Sequence, residues 1–512
     1  MKKMIALLLA LLMVLGMVAC GAQEPAEEPA ADTPAVEEPA DAPADAPADT
    51  PAEEPAEARE HVTLKFYNRV NEQPDQEVVF AAINEYLEEK LNTTVEWGFL
   101  GGTFSDKVSV MINSGEEYDA VWTSNWQNDY ATNVARGAYV DITDMLADFP
   151  ALYASMPEGF WEATKVNGRI YAVPCQQIAA RTPSMVVMTE YADAYGLSRE
   201  QQNEMTKALD YEEYLQFCLD NYGAKCGGIE PASVDLYCGY ELLNGPTSAI
   251  AVKIGDPTCT VVNLYATEEY KALCEEMAYL YSKGLVEPIC FTDREFMSAE
   301  LVSGRISMHI GGTFKPGGEV EDSNLSGIEV RHSPNGAPLM TTGAIIATMW
   351  GISTTSAHPD RVLEVMELLC TDAYLMNLIS YGIEGTHYTV GEDGLAQLAE
   401  NSGYNHGQSW AMGNTFLTYP LVGMTPTVWE ETYDLNANAE VSTLIGFTMD
   451  ITPVELEVTN VSGVYETYKA VAAGELPVEE TLAEFNAKLE DAGIDTLIAE
   501  AQAQVDAFLT NK

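Results

Sequence analysis

The segment YGIEGTHYTV, residues 381–390, places a glutamate and a histidine between glycines and tyrosines. A carboxylate beside an imidazole is a pairing used in general acid–base catalysis. The same pair can instead contact a bound ligand, or hold its own loop through a Glu384–His387 hydrogen bond. Cleavage of a glycosidic bond needs a second carboxylate at a fixed separation, which this segment does not supply. Catalysis is therefore the least favoured of the three interpretations.

Four tryptophans and one tyrosine are candidates for ligand contact. Aromatic rings can stack on an apolar face of a ligand, while polar side chains bond its hydroxyl and charged groups. Trp126 and Trp410 have polar neighbours in TSNW and SWAMGN, so ligand contact is at least as well supported as burial. Trp122 and Trp350 lie within apolar runs, which favours the core for both. For Tyr171, in GRIYAVP, the two interpretations are balanced.

Other catalytic and metal-binding patterns do not occur in the sequence. It contains no GxSxG, SxxK, GxGxxG or Walker loop and no HExxH, and its six histidines are scattered. None of the nine cysteines forms CxxC, so neither a metal nor a cofactor is predicted. The eight cysteines after Cys20 allow many disulfide pairings, and buried free thiols are an adequate alternative.

The charge of the chain argues against one class of partner. There are 79 acidic and 25 basic residues, and the net charge is −54. The leader contributes +2 through its two lysines, and residues 21–60 contribute −12 through 13 acidic residues and one basic residue. Residues 61–512 therefore carry a net charge of −44. Nucleic acid needs a basic surface that displaces its counterions, so it is not expected to bind.

The first twenty residues have the form of an export signal. Lys2 and Lys3 precede an apolar run over residues 4–18, which is short for a bilayer span. The run ends in MVAC and resembles a bacterial lipoprotein signal, although Met17 stands where leucine is common. That resemblance implies that Cys20 is lipidated and holds the protein at the outer face of the cell membrane. An ordinary secretory signal or an N-terminal membrane anchor is the alternative.

Residues 21–60 repeat EEPA, DAPA and DTPA and have almost nothing apolar to bury, so they are predicted to be disordered. Proline and charge repulsion extend such a chain at roughly 3 Å per residue, to a reach on the order of 100 Å. The segment is therefore interpreted as an acidic tether between the lipid and the folded body.

The body begins with an alternation of strand and helix patterns. Strands are predicted over residues 62–68, 94–99 and 118–123, separated by a helix with apolar residues at 79, 83, 87 and 91 and by a second helix over 106–113. This alternation indicates a parallel sheet covered by helices, whose ligands bind beyond the carboxyl ends of the strands. Trp126, just past the third strand, is expected to face that crevice.

A second group of elements follows, and with the first it indicates an α/β body of two lobes with a helical tail. Helices are predicted over residues 211–222 and 270–283, from Pro359 onward, and through most of the chain after Pro453. Further strands are predicted over residues 168–174, 184–189, 306–312, 328–334 and 343–354.

The order of several segments resembles one protein family over nearly all of residues 61–512. INSGEEYDAVWTSNW, VARGAYVDITDML, NGRIYAVP, LYSKGLVEP, GRISMHIGG and ISTTSAHPDRVLEVMELL occur in the order found in the extracellular solute-binding lipoproteins of ABC importers. YGIEGTHY and the C-terminal stretch from PVELEVTNV resemble the carbohydrate-type family 1 subgroup with an extra C-terminal module. The resemblance implies a type II periplasmic-binding-protein fold, with two α/β lobes that close on a ligand and a helical C-terminal extension.

The same resemblance implies domain limits. Lobe 1 would comprise residues 61–180 and 341–383, lobe 2 residues 181–340 and 384–450, and the helical module residues 451–512.

The resemblance also implies a function and partners. A monomer would deliver a sugar or oligosaccharide to the permease subunits of an ABC transporter, without chemistry on the ligand. A secreted glycan-degrading enzyme, an adhesin or sensor, and a peptide-binding receptor are the alternatives, and the sequence does not identify the sugar.

Overall fold

The computed structural model describes residues 59–245, 247–287, 289 and 299–511. The leader with Cys20, most of the tether and Cys290 lie outside these ranges, so the lipoprotein signal and the tether stay predictions. Within the described ranges, none of the helices combines the length and the apolar character that a membrane span requires.

The secondary structure of the described ranges alternates short strands with helices of up to 18 residues. The strands are β1 (Val62–Asn68), β2 (Thr93–Phe99), β3 (Ala120–Thr123), β4 (Lys165–Val166), β5 (Arg169–Ile170), β6 (Ala172–Pro174), β7 (Ala180–Arg181), β8 (Ser184–Met188), β9 (Lys225–Ile229), β10 (Tyr240–Leu242), β11 (Ile250–Lys253), β12 (Val261–Asn263), β13 (Ile306–Gly311), β14 (Val330–Pro334), β15 (Leu339–Met340), β16 (Met349–Ile352), β17 (Tyr388–Val390), β18 (Ala396–Leu398) and β19 (Glu440–Val441). The α-helices are α1 (Gln76–Leu91), α2 (Phe104–Ser114), α3 (Tyr130–Ala135), α4 (Pro150–Ala154), α5 (Glu158–Ala163), α6 (Thr189–Tyr195), α7 (Arg199–Glu204), α8 (Glu212–Tyr222), α9 (Val234–Cys238), α10 (Glu268–Ser282), α11 (Gly318–Ser326), α12 (Thr342–Ile345), α13 (Pro359–Thr371), α14 (Ala373–Tyr381), α15 (Val428–Asn438), α16 (Glu455–Tyr468), α17 (Val478–Asp491) and α18 (Ile494–Asn511).

The first lobe is built on a five-stranded sheet with the order β2-β1-β3-β16-β6. β1 pairs in parallel with β2 and β3, as the strand–helix alternation predicts, while β16 is antiparallel to β3 and β6. Every second side chain of β1 is buried, and Val79, Ile83 and Leu87 of α1 pack into the same core. The apolar face of the strand, predicted from its period of 2, and that of the helix, predicted from its period of 3.6, therefore pack into one hydrophobic core.

The second lobe is built on a four-stranded sheet with the order β14-β8-β13-β9. β13 is parallel to β9 and antiparallel to β8. The C-terminal helices α16, α17 and α18 share its core, where Tyr265 stacks on Tyr465 and on Phe485. The helical extension is therefore a part of this lobe's packing and has no separate core.

Three short strands connect the two lobes. β7, β15 and β19 form a sheet of their own, in the order β19-β15-β7. The chain contributes to different cores before and after β7 and β15, and β19 lies between Met412 of the first core and Leu444 of the second. The chain thus crosses between the lobes three times side by side, a geometry suited to a hinge.

Two expectations from the sequence differ from the structure. The predicted strand over residues 343–354 begins as helix α12, which Thr341 caps by accepting the amide of Ala344, and only Met349–Ile352 is extended. Periodicity alone does not separate a short buried helix from a buried strand. Residues 384–450 were expected in lobe 2, yet Tyr404 and Met412 pack in the first core.

Six of the cysteines that the structure describes are buried free thiols, namely Cys175, Cys218, Cys226, Cys238, Cys274 and Cys370, and Cys259 is also buried. This agrees with the free-thiol alternative.

Candidate ligand-binding site

The site is organised around Arg69, which directly follows β1. Its guanidinium carbon lies 5.0 Å from the ring centre of Trp126, 5.5 Å from that of Trp410 and 5.6 Å from that of Trp122. Trp126 follows β3, the parallel neighbour of β1. The carboxyl ends of adjacent parallel strands meet at one sheet edge, so residues far apart in sequence converge there. We call these four residues the tryptophan cluster.

Hydrogen bonds fix the guanidinium within the tryptophan cluster. Arg69 Nε donates to Gln127 Oε1 at 2.8 Å, and Nη1 donates to Gln408 Oε1 at 2.5 Å. Gln127 is fixed in turn by donating to Ser105 Oγ at 2.9 Å. A cation held against several aromatic faces in this way stiffens the rings that surround it.

Trp126 is the member of the cluster that presents most surface to solvent. Its side chain is 46% exposed, although its indole N–H donates to the carbonyl of Ala347 at 2.8 Å. It meets Trp122 edge-on, with ring centres 5.3 Å apart. An exposed aromatic face held in a fixed orientation is the surface that an apolar sugar face can cover without ordering the ring first.

The loop that carries Trp410 is fastened to the first lobe by three side chains. Asn68 donates to the carbonyl of Ala411 at 3.0 Å, and Thr348 Oγ1 donates to that of Trp410 at 3.2 Å. Trp350 donates its indole N–H to the carbonyl of Met412 at 3.0 Å. The partly buried Trp410 ring is thus held in place from the core side.

His406 orients the same loop. Its Nδ1 accepts the amide of Gln408 at 3.0 Å, and its Nε2 lies 2.9 Å from the carbonyl of Ile379, to which it donates. The hydrogen bond that Nδ1 accepts requires the neutral imidazole, because a protonated ring has a donor at both nitrogens. Burial lowers the pKa of His406 to about 4, so the ring stays neutral at physiological pH and keeps Gln408 beside Arg69.

A cavity of about 560 Å³ lies between the lobes beside the tryptophan cluster, and we call it the hinge compartment. Asn125 reaches it from the first lobe and donates to the carbonyl of Gly343 at 3.1 Å. Glu241 reaches it from the second lobe, where it accepts a hydrogen bond from Ser442 at 2.5 Å. Burial raises the pKa of Glu241 to about 7, with a smaller contribution from Asp235. The remaining lining residues include Asp129, Asn244, Thr342, Leu444, Phe447 and Thr448.

A second cavity, of about 510 Å³, opens on Trp410, and we call it the distal compartment. Asn405 and Ser409 line it from the first-lobe loop. Lys315 and Glu321 line it from the second lobe and form an ion pair at 2.5 Å. Both volumes include the open solvent at the mouth of the cleft, so each compartment is a partly open groove.

The other predicted aromatic residues lie in or against the first core. Trp122 is fully buried and donates to Thr348 Oγ1 at 2.9 Å, and Trp350 is 1% exposed. Tyr171 is partly buried against the same core, and its amide donates to the hydroxyl of Tyr130. The structure therefore brings Trp122, Trp126 and Trp410 together and places Trp350 and Tyr171 outside the cluster.

The segment with Glu384 and His387 has a structural role. Glu384 is exposed, whereas His387 is 2% exposed. His387 Nδ1 accepts the amide of Ile383 at 2.9 Å, and Nε2 lies 3.4 Å from Asp75 Oδ2. The loop is thus held by a His–Asp contact across the chain, where the sequence suggested an internal Glu–His hydrogen bond. Neither residue lines the two compartments.

Sequence reasoning missed Arg69, Lys315 and Glu321. Arg69 comes directly after β1, and Lys315 comes four residues after β13, a strand parallel to β9. Ligands lie beyond the carboxyl ends of parallel strands, and this rule could have identified Arg69 and Lys315. From the sequence, the rule was used only for Trp126, which follows β3.

Solved structures of solute-binding proteins superpose on this chain. The N-glycan transport solute binding protein NgtS of Streptococcus pneumoniae aligns with a TM-score of 0.78, covering 88% of this chain and 99% of that protein at 22% identity. NgtS in complex with Man5GlcNAc aligns with a TM-score of 0.73 over the same shares, at 22% identity. The chain has the periplasmic-binding-protein fold.

Sequence comparison agrees with this periplasmic-binding-protein fold. A Streptococcus pneumoniae protein named carbohydrate ABC transporter substrate-binding protein is 24% identical over 463 residues, which are 88% of this chain and 91% of that protein. A family model described as a domain of unknown function, DUF3502, matches residues 443–510. That match covers α16, α17 and α18 and coincides with the C-terminal extension. The resemblance to the solute-binding proteins of ABC importers is confirmed.

Proposed function

We propose that this protein captures a carbohydrate in the cleft between its lobes and delivers it to an ABC importer. The observation that carries the proposal is the exposed Trp126 ring, held against Arg69 near two compartments in which hydroxyl, amide and charged side chains alternate with apolar ones. Aromatic faces with a polar rim match a ring that has apolar C–H faces and hydroxyls at its edge. Trp410 serves as the second platform.

The relatives support this class of ligand. One relative is named as a carbohydrate transporter's substrate-binding protein, and the solved neighbour NgtS was crystallised with a mannose-containing glycan. Oligosaccharides fit the arrangement better than a single sugar, because two compartments flank one tryptophan cluster.

The proposed setting is the outer face of the cell membrane. Lipidation of Cys20 would anchor the chain, and residues 21–60 would let the monomeric body reach the permease subunits. The ligand would leave the cleft unchanged. His387, the imidazole of the segment that first suggested catalysis, is instead committed to Ile383 and Asp75.

Calorimetry on the chain without its leader and lipidated cysteine, residues 21–512 and here called the mature chain, tests the proposal. We expect one site per chain for at least one neutral oligosaccharide from a panel that includes mannose–N-acetylglucosamine glycans. The recovered glycan is then analysed by chromatography, and its length is expected to be unchanged. Binding restricted to peptides, or shortened products free of contaminating activity, would contradict the proposal.

A further inference from the structure

The distal compartment contains a charge pair that faces the first lobe across the cleft. Lys315 Nζ lies 2.5 Å from Glu321 Oε2, and their side chains are 17% and 30% exposed. Trp410, Ser409 and Asn405 form the opposite wall. A bound ring on Trp410 would therefore meet one ammonium and one carboxylate.

The neighbouring charges are engaged with one another. Asp322 Oδ2 lies 3.2 Å from His332 Nε2. Glu319 pairs with Arg199 and accepts the amide of His332 at 2.8 Å. Lys315 and Glu321 are thus the charged side chains that line the compartment, and their charges cancel.

We propose that the Lys315–Glu321 pair sets the charge selectivity of the distal compartment, admitting an uncharged, hydroxyl-rich sugar ring and rejecting amino sugars and uronic acids. The inference rests on the proposed carbohydrate-binding function and adds a specificity to it.

The chemistry follows from the hydrogen-bonding capacity of a hydroxyl. One sugar hydroxyl can donate to the Glu321 carboxylate and accept from the Lys315 ammonium, and both bonds are charge-assisted. The carboxylate of a uronic acid could pair with Lys315 only by displacing Glu321, which would then lie unpaired beside it. In the same way, the ammonium of an amino sugar could pair with Glu321 only by displacing Lys315. In a partly desolvated site such like-charge contacts are costly, so the pair selects by repulsion as well as attraction.

The test uses three matched probes and three variants of the mature chain. The probes are a neutral mannose-containing oligosaccharide, the same glycan with a terminal C6 oxidised to a carboxylate, and the same glycan with a terminal hydroxyl replaced by an amine. The charge is placed at either end in turn, since the end that reaches Trp410 is not specified in advance. The variants are Glu321→Gln, Lys315→Met and the double variant.

We expect the wild-type protein to bind the neutral probe at least tenfold more tightly than either charged probe. Glu321→Gln is expected to shift the ratio of affinities about tenfold toward the carboxylate probe, and Lys315→Met about tenfold toward the amine probe. The double variant lacks both charges, so its preference for the neutral probe over either charged probe is expected to fall well below tenfold, at lower overall affinity.

Three results would overturn the inference. Unchanged affinity ratios in both folded single variants would show that the pair is only structural. Shifts in the same direction for both variants would point to a general loss of packing. If the wild-type protein bound none of the probes, both the proposed function and this inference would fail. If it bound the neutral probe and the variants left the ratios of affinities unchanged, only this inference would be refuted. Melting temperatures confirm that each variant is folded.

Discussion

Truncation of Trp126 separates ligand binding from folding. The exposed part of its side chain, 46% of roughly 200 Å², amounts to about 90 Å² that a sugar face can cover. At about 25 cal/mol per Å², covering it contributes about 2 kcal/mol to binding, which corresponds to about a 30-fold change in affinity. We therefore expect Trp126→Ala to weaken the tightest-binding glycan by about 30-fold.

The buried half of Trp126 also stabilises the fold. It packs on Arg69 and Trp122 and donates to Ala347, so the same area argument gives an upper bound of about 2 to 3 kcal/mol on the stability lost. Truncation of Trp126 is therefore expected to lower stability as well as affinity. Trp126→Phe keeps an aromatic face but loses the indole N–H, so its affinity should fall by less than about fivefold.

Trp161 provides the matched control. It is 1% exposed in the first core and lines neither compartment, so Trp161→Ala should cost about 3 to 5 kcal/mol of stability. Among the molecules that remain folded, its glycan affinity should be unchanged. Urea unfolding and calorimetry on all three variants give both quantities. If Trp126→Ala bound within twofold of the wild-type protein, the exposed ring would not be a ligand platform and the site would lie elsewhere.

Four further predictions concern protonation and the N-terminal region. Burial raises the pKa of Glu241 from 4.5 to about 7, so its contribution to stability is greatest below pH 4.5 and falls by about 3 kcal/mol as pH rises to about 7. Urea unfolding across this range should show that Glu241→Gln removes that loss, and an unchanged slope would contradict it. Burial lowers the pKa of His406 from 6.5 to about 4, so stability is full above pH 6.5 and falls by about 3 kcal/mol as pH drops to about 4. His406→Gln should flatten this segment of the same curve, and a wild-type slope in the variant would refute the assignment. Deleting residues 21–60 from the exported chain should leave its melting temperature unchanged, and a drop of several degrees would contradict this expectation. Cys20→Ala should move the protein from the membrane fraction to the medium, and retention at the membrane would contradict that expectation.

Much of the fold follows from local patterns in the sequence. β1 and the helix after it obey the period-2 and period-3.6 rules, because each element buries one face against a single core. The order of strands and helices up to β3 then indicates a parallel sheet before any contact is known. The error over residues 343–354 arose in a run that is mostly apolar, where neither period is visible. At the start of this run, Thr341 caps a short helix by accepting the amide of Ala344.

The site was less predictable because it depends on contacts distant in sequence. Arg69 acquires its surroundings from Trp126 and from Trp410, which lies over 300 positions away. Similarly, the partner of His387 is Asp75, so the nearby Glu384 was a misleading neighbour. The polar sequence context of Trp126 did identify an exposed ring, since a solvated loop seldom buries a side chain completely.

A crystal structure of the mature chain with the tightest-binding oligosaccharide of the panel tests the central claim most directly. We predict that one sugar ring covers the exposed face of Trp126 and a second ring lies on Trp410, within hydrogen-bonding distance of Lys315 or Glu321. A ligand bound outside the cleft between the two lobes, with Trp126 still exposed to solvent, would contradict the account.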